Sequence, residues 1–362
     1  MSGMTRIWTD IEFDADGKQQ GCLRLPHSTD VSAYGAIPIP LIVIKNGPGP
    51  TALLVAGNHG DEYEGQLALS NLSRQLAPEQ ICGRIIILPA LNYPAVRAGS
   101  RLSPLDGGNL NRLFPGNPHG QPSAMIAHYV TEVLLDMANL VLDLHSGGRS
   151  LEYYPTALFR SGGSAAELEK LIQLTRAFGA PVSCFSNGSG GGGATTLAAA
   201  AQARGIAAIT AELGGGASLS KAGLDLAMNG TLRVLHHIGI LSAAAPEPPP
   251  PTRLMTVPGR HAFIYADAHA FFEPAANPGD DVSAGQLAGL LHSVDWPSRQ
   301  PHRVLFSISG FVACRRALCM TAPGDCLFKL AVDADSYVFG KDSAALNSQT
   351  RIDCGPSVPT IV

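Results

Sequence analysis

ALLVAGNHGDEYEG (52–65) joins a continuous apolar run to a Gly-containing turn and then to a helix-like stretch. An apolar run of this length without polar alternation reads as a strand buried on both faces. The same texture recurs in LIVI (41–44), RIIILPAL (84–91), LVLDLH (140–145) and IAAITAEL (206–213). Helix-periodic stretches lie between them, at 62–77, 123–138, 164–178 and 194–204. Strands alternating with helices predict an α/β fold: a mixed, largely parallel sheet flanked by helices. In such sheets ligands bind beyond the carboxyl ends of the strands, which directs attention to the residues just after each apolar run.

Composition sets the outer bounds. The chain has 362 residues and a formal net charge of −4, with only 15% charged residues, against about 25% in an average soluble protein. Hydrophobic residues make up 45%, which excludes a disordered chain. The absence of a basic surplus argues against a nucleic-acid coat protein. The N-terminal MSGMTRIWTDIEFDADGKQQ has no apolar signal core, and no run approaches the roughly 18 apolar residues of a membrane span. The seven scattered cysteines contain no CxxC pair and read as free thiols. Together these predict a cytoplasmic protein with no membrane or nucleic-acid partner.

The Pro-rich AAAPEPPPP (243–251) interrupts the pattern and reads as a stiff linker. After it come short apolar segments separated by the turn signals NPGDDV, DWPSRQP and APGD, the texture of a small all-β module. The expected organisation is a catalytic domain at 1–242, a linker at 243–252, an all-β module at 253–345 and a tail at 346–362. SNGSGGGG (186–193) reads as a loop over a site.

Where charge is scarce, each carboxylate at the end of an apolar run needs a reason. His59 and Glu62 follow the run at 52–57, and His145 ends the run at 140–145. Two histidines and one glutamate form the three-ligand set of a catalytic zinc, one ion per chain, with a fourth position left for water. Asp143, two residues before His145, faces the same side of its strand and is placed to orient the imidazole. Glu212 ends a third run in Ala/Gly/Ile surroundings, so burial is expected to raise its pKa and suit it to proton transfer. SRLSPLDGGNLNRLFPG (100–116) contributes Arg101 and Arg112, whose guanidinium forks suit a carboxylate or an oxyanion, and Asn111 as a neutral donor.

The segments GNHGDE (57–62), NLNRLFPG (109–116), DLHSGG (143–148) and AELGG (211–215), in that order, resemble the succinylglutamate desuccinylase/aspartoacylase family, a branch of the zinc-carboxypeptidase-like hydrolases. The resemblance covers roughly 40–240. It implies zinc on His59, Glu62 and His145, and Glu212 as general base and acid. It also implies a substrate carboxylate held by Asn111 and Arg112. A family arginine that polarises the scissile carbonyl maps best to Arg101; the SPLDGG insertion keeps Arg97 as an alternative. Around the first histidine and after the third ligand the sequence looks more like the bacterial deacetylases of ectoine breakdown, which act on N-acetyl-2,4-diaminobutyrate. The C-terminal module suits the family's barrel or lipoyl-like sandwich, but EPAANPGDD (273–281) has no lysine at a carrier-type hairpin tip.

The expected activity is removal of a small acyl group from an N-acylated amino acid. The alternatives are a zinc carboxypeptidase acting on small peptides and a non-catalytic metal-binding homologue. A homo-oligomer, by default a dimer, is the expected assembly.

Overall fold

The computed structural model describes residues 5–160, 163–186, 193–242 and 247–334. The first part of the chain runs β1 (Gly17–Pro26), β2 (Ala36–Asn46), β3 (Thr51–Ala56), α1 (Tyr63–Gln75), β4 (Gly83–Leu88), α2 (Tyr93–Ala98), α3 (Pro122–Tyr129), α4 (Leu135–Met137) and β5 (Leu140–His145). It continues through β6 (Leu151–Tyr153), β7 (Thr156–Phe159), α5 (Ala165–Phe178), β8 (Val182–Phe185), α6 (Leu197–Ala203), β9 (Ala207–Glu212) and α7 (Lys221–His237). The helix expected at 123–138 is divided, with a π-helical turn at Val130–Leu134 separating α3 from α4. Helix starts follow side-chain capping: Ser164, Thr196 and Ser220 each accept a hydrogen bond from the backbone N–H three residues on.

The main sheet is mixed, with its centre in the order β4-β3-β5-β9 and all pairs there parallel. β1 and β2 add an antiparallel edge, which places the N-terminal segment on the α/β part of the chain. Strand β3 shows why its sequence has no polar alternation. Ala52, Leu54 and Ala56 enter the core under α1, α5 and α7, while Leu53 and Val55 enter the opposite core under α3 and α6. Both faces are covered, so both sets of side chains are apolar.

The C-terminal part contributes β10 (Arg253–Thr256), β11 (Phe263–Tyr265), β12 (Ala270–Pro274), β13 (Asp281–Val282), β14 (Leu287–Ser293), β15 (His302–Leu305), β16 (Gly310–Arg316), β17 (Met320–Thr321) and β18 (Cys326–Asp333). Its own core gathers Met255, Phe272, Phe306, Phe311 and Phe328. β15, β14, β12 and β17 form a separate small antiparallel sheet. The other strands extend the main sheet. β10 pairs in parallel with β8, and β16 pairs with β6 of the first part. The β-module is thus joined to the α/β part by backbone hydrogen bonds as well as by the Pro-rich connection. Of the segments singled out in the sequence, residues 187–192, 243–246 and 335–362 lie outside the described residues.

Glycine at 60 is required by a close approach. A Cβ there would lie 1.9 Å from the Ala95 carbonyl oxygen of α2. Gly60 N–H also donates to Ser100 O, so the His59 turn is clamped against the segment leading to Arg101. Gly60→Ala is expected to cost at least about 1–3 kcal/mol, the usual range for overpacking. Denaturant unfolding measures the loss, and a midpoint equal to wild type would show that this clamp is dispensable.

Candidate active site

Three parallel strand ends build the site. β3 ends at Ala56 and leads through Gly57 and Asn58 to His59 and Glu62, with Glu62 at the N-cap of α1. β5 ends at His145, which pairs in register with Glu212 at the end of β9. On β5 the leucines at 140, 142 and 144 point into the core, so strand alternation turns Asp143 and His145 to the other face. On β9 Ile209 and Ala211 point into the same core, and Glu212 faces the side of His145.

His59, Glu62 and His145 are all buried, and one donor atom from each lies within 4.8 Å of the others. Glu62 stands between the imidazoles: its Oε1 is 2.7 Å from His59 Nδ1 and its Oε2 is 2.7 Å from His145 Nδ1. The far nitrogens face acceptors. His59 Nε2 is 3.0 Å from Asn109 Oδ1, and His145 Nε2 is 3.0 Å from Asp143 Oδ2. With an acceptor at each Nε2, the Nδ1 atoms are the ones turned toward Glu62; without a metal, a proton on Nδ1 bridges each contact, and a bound cation would take that place. Asn58 Nδ2 donates to Asp143 Oδ1 at 2.8 Å and fixes that carboxylate in turn.

Electrostatics favour a cation at this point. Burial opposes ionisation of Glu62, but the His59 and His145 imidazoles hold its carboxyl well below the usual range. Burial likewise opposes charge on His145, and the Asp143 and Glu62 carboxylates overcome it and raise that imidazole well above its ordinary value. A buried carboxylate that draws positive charge onto its neighbours fits a divalent cation, and so does a His₂Glu donor set. Asp143→Asn is expected to weaken metal binding by about 10–100-fold, the range for second-shell carboxylates. Competition against a fluorescent chelator measures this; unchanged affinity would remove Asp143 from the metal site.

Glu212 lies in the same cavity, and its Oε2 is buried with no hydrogen-bond partner among the described residues. Burial pushes its carboxyl up to about 8; His145 opposes the rise and Glu62 adds to it. Arg101 reaches the converging donors, with Nη1 3.3 Å from His59 Nδ1 and 3.5 Å from Glu62 Oε1. Arg97 is exposed and does not line the cavity, so the structure brings Arg101 to the site. Asp106 does not neutralise the arginines; it ties the loop by accepting from Gly108 N, Ser123 N and Ser123 Oγ.

Arg112 lines the cavity and donates to its neighbour's carbonyl, Asn111 O, at 2.7 Å. Burial, and then the charge of Arg101, push its guanidinium down. Among the described residues it has no carboxylate in ion-pair contact. Asn111 is pinned, with Oδ1 accepting from Leu197 N at 2.9 Å and Nδ2 resting 3.2 Å from His145 Nε2. Asn109, rather than Asn111, meets His59.

The cavity has a volume of about 360 Å³. It is also lined by residues that the sequence did not single out: Tyr153, Arg160, Cys184 and, from the C-terminal module, Tyr265 and Lys329. Lys329 carries the clearest sequence signal among them, as a single cation inside the apolar strand CLFKLAVD (326–333).

A family model for the succinylglutamate desuccinylase/aspartoacylase catalytic domain matches residues 48–238. The chain belongs to this family. The model is of a catalytic domain, and the chain is an enzyme. Within the family it is 37% identical over 330 residues to the N-alpha-acetyl-L-2,4-diaminobutyric acid deacetylase of Halomonas elongata, an alignment covering 91% of this chain and 96% of that one. Two solved family structures superpose closely. The product-bound ectoine utilization protein EutE (DoeB) of Ruegeria pomeroyi is 39% identical with a TM-score of 0.87, covering 91% of this chain and 100% of that chain. A succinylglutamate desuccinylase/aspartoacylase of Rhodobacter sphaeroides is 37% identical with a TM-score of 0.86, covering 91% and 99%. The family fold is therefore present in both parts of the chain, and no described helix is long and apolar enough to cross a membrane.

Proposed function

We propose that the protein is a zinc-dependent deacylase of N-acyl amino acids, with Nα-acetyl-2,4-diaminobutyrate, the compound named for the Halomonas relative, as its first candidate substrate. The observation that carries this reading is the unpartnered Glu212 oxygen in one cavity with the His59–Glu62–His145 donors. A zinc ion held by those donors would polarise the scissile carbonyl and acidify water.

The chain's own residues supply the rest. Glu212 takes a proton from the attacking water at Oε2, its free oxygen, and later delivers a proton to the departing amine nitrogen. Arg101 donates to the carbonyl oxygen as negative charge develops there. Arg112, with no acidic partner among the described residues, grips the substrate carboxylate. Asn111 keeps its place beside Arg112 through the Leu197 N–H and lends a neutral amide to the same wall. Asp143 and Asn109 hold the imidazoles in the ligating tautomer.

A cavity of about 360 Å³ lies at the small end of ligand pockets and suits one acyl amino acid better than a peptide held in a groove. Comparing N-acetyl, N-succinyl and N-formyl amino acids with short peptides tests the proposal. Release of the acyl group from the free amino-acid derivatives is the expected result. Cleavage confined to C-terminal residues of peptides would make the protein a carboxypeptidase instead.

A further inference from the structure

The C-terminal module places one side chain whose purpose the mechanism above leaves open. Lys329, on β18, lines the same cavity as the catalytic candidates and is half-buried there. Its ammonium lies 5.5 Å from the centre of the Tyr153 ring. No carboxylate forms an ion pair with it among the described residues. One lining carboxyl feels its charge: burial raises Glu212 to about 8 and Lys329 opposes part of that rise, with no ion pair between the two. Burial also pushes the thiols of Cys314 and Cys326 up to about 12 and about 11, which keeps both neutral. The carboxylates lining the cavity are Glu62, which is engaged by two imidazoles, and Glu212, the proposed base. Arg160 lines the cavity as a further cation, with Gln202 rather than an acid as its partner.

A lysine ammonium is a strongly hydrated point charge, and withdrawing it into a cavity wall without an anion is unfavourable. An aromatic face offsets part of that cost. The remainder calls for a negative group brought in from outside. We infer that Lys329 is a specificity residue whose ammonium binds a carboxylate of the N-acyl amino acid, so that the β-module contributes directly to substrate recognition. The inference rests on the deacylase reading for its choice of ligand. The carboxylate has two sources: the α-carboxylate common to all such substrates, or the side-chain carboxylate of an acidic one.

The test uses full-length, metal-loaded enzyme and the variants Lys329→Met, Lys329→Arg and Lys329→Glu. The substrates are N-acetyl-L-alanine, its α-amide, N-acetyl-L-glutamate and Nα-acetyl-L-2,4-diaminobutyrate. Lys329→Met should raise KM by about tenfold, the loss of one charged hydrogen bond, with kcat nearly unchanged. Lys329→Arg should recover most of that loss, and Lys329→Glu should exceed it. If the α-carboxylate is the target, wild type prefers the acid to the amide and Lys329→Met narrows that preference about tenfold, leaving the part that Arg112 supplies. If a side-chain carboxylate is the target, only the glutamate substrate loses affinity.

KM values within twofold of wild type for all four compounds would overturn the inference. So would a shifted pH profile of kcat with KM unchanged, which would assign Lys329 to Glu212 instead. If wild type turns over none of the four, the deacylase reading fails on its own. Calorimetric binding of the same compounds to wild type and Lys329→Met then decides the matter, and binding that is equal or absent in both would overturn the role of Lys329.

Discussion

Glu212→Gln is expected to leave one metal ion bound per chain while lowering turnover by about 10²–10⁴-fold or more, the contribution of a positioned general acid–base. The amide keeps the shape of the carboxyl group but cannot accept the water proton. Glu212 suits this role because it ends a buried strand beside His145, with one oxygen lacking any partner among the described residues. The measurement is kcat on metal-loaded variant, with metal content assayed on the same sample. Activity near wild type in the loaded variant would remove Glu212 from the mechanism.

A second consequence separates this effect from misfolding. The folded-state pKa of Glu212 is raised from 4.5 to about 8 in the metal-free chain, chiefly by burial. An acid with a raised folded pKa is protonated in the folded state while the unfolded chain has already lost its proton. The folded state is therefore progressively disfavoured as pH rises from about 4.5 through about 8. The glutamine has no proton to lose, so metal-free Glu212→Gln should match wild type at pH 4 and unfold at a higher temperature than wild type at pH 9. A lost activity accompanied by this stability pattern is chemical in origin.

The second large effect belongs to the metal ligands. His145→Ala is expected to lower metal affinity by more than the roughly 100-fold upper range of outer-shell changes, because it removes a donor outright. It also leaves the Glu62 Oε2 contact and the Asp143 Oδ2 contact without their shared imidazole. Two buried carboxylates then face each other's field with less compensation, which adds a stability loss. Chelator competition together with thermal unfolding reads both. Retention of one tightly bound ion by His145→Ala would mean that the ion sits elsewhere.

Much of this arrangement was legible in the chain. The runs at 52–57, 140–145 and 206–213 correspond to β3, β5 and β9, because strands buried on both faces are continuous apolar segments. Their ends carry His59 with Glu62, His145 and Glu212, and the scarcity of charge made those residues conspicuous. The sequence favoured Arg101 over Arg97 without showing which one reaches the site, since that depends on how the loop after α2 folds back; it is Arg101 that contacts His59 and Glu62.

Other parts left weaker traces. β6, β7 and β8 have three or four residues each, too short for a pattern to establish itself. Asn109 looked like a loop residue, and only its 3.0 Å contact with His59 gives it a task. The cavity wall made by Tyr153 and Lys329 brings together residues far apart in the chain, through the pairing of β16 with β6 and of β16 with β18. The Pro-rich stretch and the change of texture after it drew attention to the separateness of the β-module. The hydrogen bonds that join it to the first part involve backbone atoms and leave little trace in residue type.

The most direct measurement is acetate release from Nα-acetyl-2,4-diaminobutyrate by protein of known metal content, before chelation, after chelation and after zinc is restored. One zinc ion per chain is expected, with turnover that disappears on chelation and returns with the metal. Equal turnover by the metal-free protein, or no acyl release from this or any other N-acyl amino acid with zinc fully bound, would contradict this expectation.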